Sequence, residues 1–129
     1  MQSIFTNGCF DILHKGHVEL LAYCKSLGHV TVGLNSDDSV KRLKGLSRPL
    51  NKESDRKRIL EALRYVDQVI IFEEDTPYKL ISKLKPDFIV KGGDYRSHEV
   101  IGSDLCEVKI FETVKGYSTT DIINQIVEK

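Results

Sequence analysis

The sequence predicts a doubly wound α/β domain, a five-stranded parallel sheet with helices on both faces. Three observations lead there. Five short apolar runs, at 4–6, 29–34, 69–72, 88–90 and 108–111, have the length and β-branched content of buried strands. Segments with helical spacing lie between them, the pattern of parallel strands joined by crossovers. The residues able to do chemistry fall just after strands, and open parallel sheets bind ligands outside their strand ends, where strand order reverses.

Each element follows from local signals. After the first strand, Val18, Leu21, Cys24 and Leu27 recur at helical spacing, and Gly28 stops that helix as a C-terminal cap. Beyond the second strand, Asn35, Ser36 and Asp37 offer caps for a short helix through Leu43. Residues 44–51, with a glycine and a proline, read as a basic loop, and 52–64 as a helix presenting Ile59, Leu60 and Leu63 to a core. Asp75, Thr76 and Pro77 are a helix start, with the proline at the first helical position, and Pro86 ends that helix at about Lys85. Residues 97–102 suggest a short helix. The last helix begins at Ser118, whose hydroxyl can cap it while Asp121 reaches back.

Composition narrows the class. A chain of 129 residues, 40% hydrophobic and 29% charged, is expected to form one globular domain over 1–129. Lys plus Arg and Asp plus Glu number 19 each, so no global charge attracts nucleic acid or anionic lipid, and any phosphate binding is local. No apolar run is long enough to span a bilayer, and the first residues read as a strand rather than a signal peptide. Three widely spaced cysteines, Cys9, Cys24 and Cys106, fit reduced thiols in a cytoplasmic protein.

The segment 6–17, Thr-Asn-Gly-Cys-Phe-Asp-Ile-Leu-His-Lys-Gly-His, crosses from the first strand into the first helix. Gly8 and Gly16 allow close backbone approach, and His14 and His17 share a helix face. Three readings compete for the histidines: a surface pair, part of a zinc site with Cys9, or donors to phosphate oxygens beside a helix N-terminus. Zinc lacks an obvious third or fourth ligand. Lys41, Arg42, Lys44 and Arg48 make a basic cluster that is either a solvated face or part of an anion cleft. Lys91, Gly92, Gly93 and Asp94 are a turn signal after the fourth strand, placed to pass a nucleotide's base and ribose, with Asp94 accepting a ribose hydroxyl.

The run Gly8-Cys9-Phe10-Asp11-Ile12-Leu13-His14-Lys15-Gly16-His17 resembles the G-x-F-D-x-x-H-x-G-H signature of the small cytidylyltransferase-like nucleotidyltransferases, and Ser118-Thr119-Thr120 extends the likeness to the end of the chain. The resemblance implies a Rossmann-like doubly wound fold. It further implies transfer of a nucleoside monophosphate from a triphosphate, with Mg²⁺ on its phosphates, to a phosphorylated acceptor, releasing pyrophosphate. His14, His17 and Lys44 would be catalytic. Asn7, Gly8, Cys9, Phe10, Gly16, Lys91, Gly92, Asp94, Ser118, Thr119 and Thr120 would hold the nucleotide. Asp11 would orient the site or help to hold Mg²⁺, and with Lys41, Arg56 and Arg64 would serve the substrate. A homodimer is implied as well, with no nucleic acid or membrane partner.

Two branches compete. Residues 41–45, 48–51, 72–77 and 90–95 look like the branch that adenylylates heptose 1-phosphate from ATP. Asp55-Arg56 and Leu63-Arg64-Tyr65-Val66-Asp67 look like glycerol 3-phosphate cytidylyltransferases, which use CTP, but Thr113 stands where that branch carries an arginine. An answer of another class is a module that binds nucleotide without catalysis.

Overall fold

The computed structural model describes residues 1–93, 96–112 and 118–128. The elements run β1 (Ser3–Gly8), α1 (Lys15–Leu27), β2 (His29–Asn35), α2 (Asp37–Lys44), α3 (Glu53–Glu61), β3 (Gln68–Phe72), α4 (Tyr78–Leu84), β4 (Phe88–Gly92), β5 (Glu107–Phe111) and α5 (Thr119–Glu128). The five strands form one sheet in the order β3-β2-β1-β4-β5, and every pairing is parallel. The doubly wound architecture is therefore the one expected. Only a brief 3-10 turn at Ser97–Glu99 stands where 97–102 suggested a helix.

The chain winds outward from β1 to β2 and β3, then returns across the sheet to β4 and β5. Connections leaving β1 and β4 therefore diverge to opposite sides, and a cleft opens between them above the strand ends. Side chains alternate along each strand and sort the core into two halves. Ile4, Val30, Val32 and Leu34 face Leu21 and Cys24 of α1 and Leu60 of α3. Phe5 and Ile89 face Ile81 of α4 and Val100 on the other side. Fully burying a leucine such as Leu21 is worth about 2 kcal/mol, several times a surface side-chain pair, so α1 is held by its inner face.

Helix ends differ from the expectation in informative ways. α1 starts at Lys15, three residues early, because His14 is its N-cap. α3 stops at Glu61 and hands over to turns closed by Leu63 N–H to Leu60 and Val66 N–H to Leu63. Gly28 does cap α1, its N–H donating to the Cys24 carbonyl, but with extended rather than left-handed backbone. What requires glycine there is space: a Cβ would lie 2.1 Å from the Gln2 carbonyl oxygen. Lys85 ends α4 in the left-handed conformation, φ 48°, just before Pro86. Among the described residues no helix is long and apolar enough to cross a membrane.

Candidate active site

A cleft of about 650 Å³ lies over the ends of β1 and β4. Its walls bring together Asn7, Gly8, Cys9, Phe10, Asp11, His14, Gly16, His17, Lys44, Lys91, Gly92, Ser118, Thr119 and Thr120. Asp94 lies outside the described residues. Lys41 is exposed on α2 and does not line the cleft, and Arg64 is likewise outside it, its guanidinium over the Tyr65 ring and donating to the Tyr65 hydroxyl at 3.0 Å.

The two histidines cap their own helix. Gly16 N–H donates to His14 Nδ1 at 3.1 Å, and His14 N–H donates to His17 Nδ1 at 3.3 Å, a reciprocal box made of imidazoles. The rings stack with centroids 3.8 Å apart, and Phe10 packs on His17 at 5.0 Å. Since each Nδ1 accepts, each neutral ring carries its hydrogen on Nε2. Burial pushes the His17 pKa down to about 4, with His14 adding to the effect, and burial also lowers His14. The pair is thus two neutral donors at the cleft. A surface pair does not describe them, and no group of three metal-ligating side chains occurs among the described residues to make a zinc site.

This carries a pH consequence. The native state keeps His17 neutral where the unfolded chain would be protonated, below about 6.5, so unfolding takes up protons in that window. Stability is complete above the unfolded value and falls as pH drops towards 4. Denaturant titrations at pH 7.5 and 5 are expected to differ by about 2 kcal/mol from this source. A His17→Gln variant should show correspondingly less pH dependence, and equal slopes would count against the neutral pair.

Phe10 turns with φ 46°, and its ring fills the space over Gly8, where a Cβ would meet it at 3.0 Å. Gly8 therefore makes room for Phe10 rather than only for a ligand. Asp11 is fully buried at its side chain and accepts from Arg48 Nε at 2.9 Å and from the N–H groups of Leu50 and Asn51, each at 2.9 Å. Burial opposes its ionisation, but these bonds outweigh that and hold the carboxyl below the usual range. Asn51 Nδ2 returns a bond to the Asp11 carbonyl at 2.7 Å. Both carboxylate oxygens are engaged by donors, so a magnesium ligand does not fit here; Asp11 anchors the 48–51 loop to the histidine motif.

Arg56 also differs from the expectation of a substrate contact. It is 1% exposed, and its guanidinium donates to the carbonyls of Asn51, Cys9 and Asn35 at 2.9, 2.8 and 2.8 Å and to Asp37 at 2.8 Å. Its task is to join the ends of β1 and β2 to the loop between α2 and α3. Thr119 uses its hydroxyl on the Ile12 carbonyl at 2.9 Å, docking α5 beside the histidine motif, while Ser118 Oγ accepts the Asp121 N–H at 3.0 Å as expected for a cap.

The polar lining residues outside the expected set include Asn35, Arg48, Asp75 and Thr76. Arg48 was legible as part of the basic cluster. Asn35 was read only as a cap; its role in the cleft follows from β2 running one residue longer than its apolar pattern. Arg42 holds Asp75 at 2.8 Å and also donates to the Glu73 carbonyl, fixing the loop after β3. Thr6 Oγ1 is buried at the cleft floor without a hydrogen-bond partner among the described residues.

Fold and site define a doubly wound α/β domain whose ligand cleft sits at the reversal of strand order. A family model described as cytidylyltransferase-like matches residues 5–125, and the chain belongs to that family. It is a nucleotidyltransferase domain. The chain is 58% identical over 125 residues to the bifunctional protein HldE of Campylobacter concisus, covering 95% of this chain and 26% of that protein. It is 57% identical to the Helicobacter pylori protein of the same name, again over 95% of this chain and 27% of that one. The chain thus spans about a quarter of the length of these curated relatives. Among solved structures, a lipopolysaccharide core biosynthesis protein from Thermoplasma volcanium superposes with a TM-score of 0.73 at 31% identity, covering 92% of this chain and 99% of that one. A pantoate-beta-alanine ligase from Francisella tularensis shares the fold at 18% identity and TM-score 0.62, covering 99% of this chain and 70% of that one.

Proposed function

We propose that this domain transfers the nucleoside monophosphate of ATP to a sugar 1-phosphate of the heptose class, forming a nucleotide sugar and pyrophosphate. One observation carries the choice of acceptor. All four segments that resemble the heptose branch contribute to the cleft, through Leu43 and Lys44, Arg48, Asp75 to Pro77, and Lys91 with Gly92. The segments resembling the glycerol 3-phosphate branch centre on Arg56, buried in a structural network, and Arg64, exposed outside the cleft. Those arginines therefore read no acceptor.

The chemistry follows from the site. An acceptor phosphate oxygen attacks the α-phosphorus in line, the new P–O bond forms, and the bond to the bridging oxygen breaks as pyrophosphate leaves with its electron pair. Charge builds on the α-phosphoryl oxygens and the leaving group. His14 and His17 offer Nε2–H donors fixed in orientation by their Nδ1 bonds, so they stabilise that charge without reorganising. Lys44 neutralises phosphate, and the N-terminal turn of α5 lines the cleft through Ser118, Thr119 and Thr120, where a helix start favours an anion. Mg²⁺ enters as part of the nucleotide substrate. Cytoplasmic location is supported by the free thiols of Cys9, Cys24 and Cys106, and a homodimer by the family likeness.

A panel of ATP and CTP against heptose 1-phosphate and glycerol 3-phosphate tests the reading. Pyrophosphate release is expected with ATP and heptose 1-phosphate and to depend on the acceptor. Preference for CTP and glycerol 3-phosphate would overturn the acceptor assignment, and nucleotide binding with no turnover on any pair would leave a binding module.

A further inference from the structure

The walls of the cleft differ in charge. Among the described residues its lysines and arginine are Lys44 at the end of α2, Arg48 in the following loop and Lys91 in β4, and two carboxylates line it as well, Asp11 and Asp75. Asp11 is buried and committed to the 48–51 loop. Asp75 is different: its side chain is 64% exposed, Oδ1 accepts from Arg42 Nε at 2.8 Å, and no hydrogen bond among the described residues uses Oδ2. An exposed ion pair adds little stability, so orientation is what Arg42 supplies. Helix α2 braces the loop after β3 at successive residues, Arg42 donating to the Glu73 carbonyl and Ser39 Oγ to the Glu74 carbonyl at 3.0 Å. The carboxylate is thereby held in place at the cleft wall, with Thr76 next to it.

We infer that Asp75, with Thr76 beside it, reads the hydroxyls of the acceptor sugar and so sets which sugar phosphate is used. This rests on the transfer reaction proposed above. Charge decides what this wall can take. Every phosphate in the reaction is anionic and is repelled by a carboxylate at contact distance, so the partner of Asp75 is a neutral, hydroxyl-bearing part of a substrate. A hydroxyl donating to a carboxylate makes a charge-assisted bond, roughly twice as strong as one between neutral groups. Thr76 can donate to or accept from a neighbouring hydroxyl. The nucleotide's ribose is the other source of hydroxyls, and sheet order separates the two. Residues 91–94, read as passing the ribose, follow β4, whereas Asp75 follows β3; in the order β3-β2-β1-β4-β5 these loops lie on opposite sides of β1 and its histidine motif. The sugar of the acceptor therefore lies on the β3 side, with the phosphates between.

Asp75→Asn, which keeps the shape and removes the charge, tests this on the full chain. Calorimetric binding is measured for heptose 1-phosphate and for methyl phosphate, each with a non-hydrolysable ATP analogue present, and for the analogue alone. Heptose 1-phosphate should bind the variant roughly 10- to 100-fold more weakly, the scale of one lost charged hydrogen bond, while the analogue stays within about 2-fold. Methyl phosphate, which has the phosphate and no sugar hydroxyl, should bind the variant as tightly as the parent or more tightly, because a negative charge has left the cleft. Thr76→Val should give a smaller loss confined to heptose 1-phosphate. Tighter binding of both phosphates would make Asp75 only a repelling charge, equal weakening of both would make it a structural brace, and weakening of the nucleotide analogue would move it to the ribose; each overturns the assignment. Binding without pyrophosphate release from the parent would instead overturn the transfer reaction and leave the binding comparison to decide the subsite.

Discussion

Turnover of a His17→Ala variant is expected to fall by roughly 10²- to 10³-fold, the range for removing one preorganised donor from a developing oxyanion. The reason is geometric. His17 Nδ1 already accepts the His14 N–H, so only Nε2–H is available to a phosphate oxygen, and the ring is clamped between His14 and Phe10. The donor is neutral across the working pH range because burial keeps its pKa near 4. It therefore lends a hydrogen bond rather than a charge, which favours the charge-dispersed transition state over tight binding of the ground-state triphosphate. The loss should appear in kcat, with the KM for nucleotide changed little, when pyrophosphate release is followed at saturating acceptor. A kcat within a few-fold of the parent in a folded variant would leave the pair with a purely capping role.

The second large effect concerns stability. Arg56→Met should cost about 3–5 kcal/mol in denaturant unfolding, because it strands the groups the guanidinium serves. The carbonyls of Cys9, Asn35 and Asn51 lose their donor, and Asp37 loses its ion pair at 2.8 Å. Arg56→Lys keeps the charge but not the planar fork that reaches four acceptors, so it should recover only part of the loss. A folded Arg56→Met protein with near-parent stability and an acceptor KM raised alone would return this residue to the substrate.

The contrast between these two residues marks what was legible in the sequence. The sheet, its five strands and the order of elements followed from apolar runs and period alone, and glycine, proline and serine signals bounded most helices within a few residues. The histidine motif was located correctly, but not its cap: imidazole is an uncommon N-cap, so His14 and His17 gave no start signal although their i, i+3 spacing is that of a capping box. Arg56 was misjudged for a different reason. An arginine on a charged helical segment reads as exposed, and only tertiary packing shows that three carbonyls converge on it. Asp11 was similarly ambiguous, since one carboxylate can hold a cation or a loop, and the sequence does not reveal that Arg48, Leu50 and Asn51 come back to it.

That loop attachment sets a rule for redesign. Residues 44–50 carry Lys44 and Arg48 at the cleft together with Leu46 and Leu50 pointing largely to solvent. Because the grip on Asp11 comes from Arg48 and two backbone N–H groups, positions 46 and 47 can be exchanged freely while 48, 50 and 51 cannot move in register. A chimera that borrows this segment from a relative would need Asp11 left in place and an arginine at position 48, so that the carboxylate latch closes as before and the grafted side chains leave the histidines undisturbed.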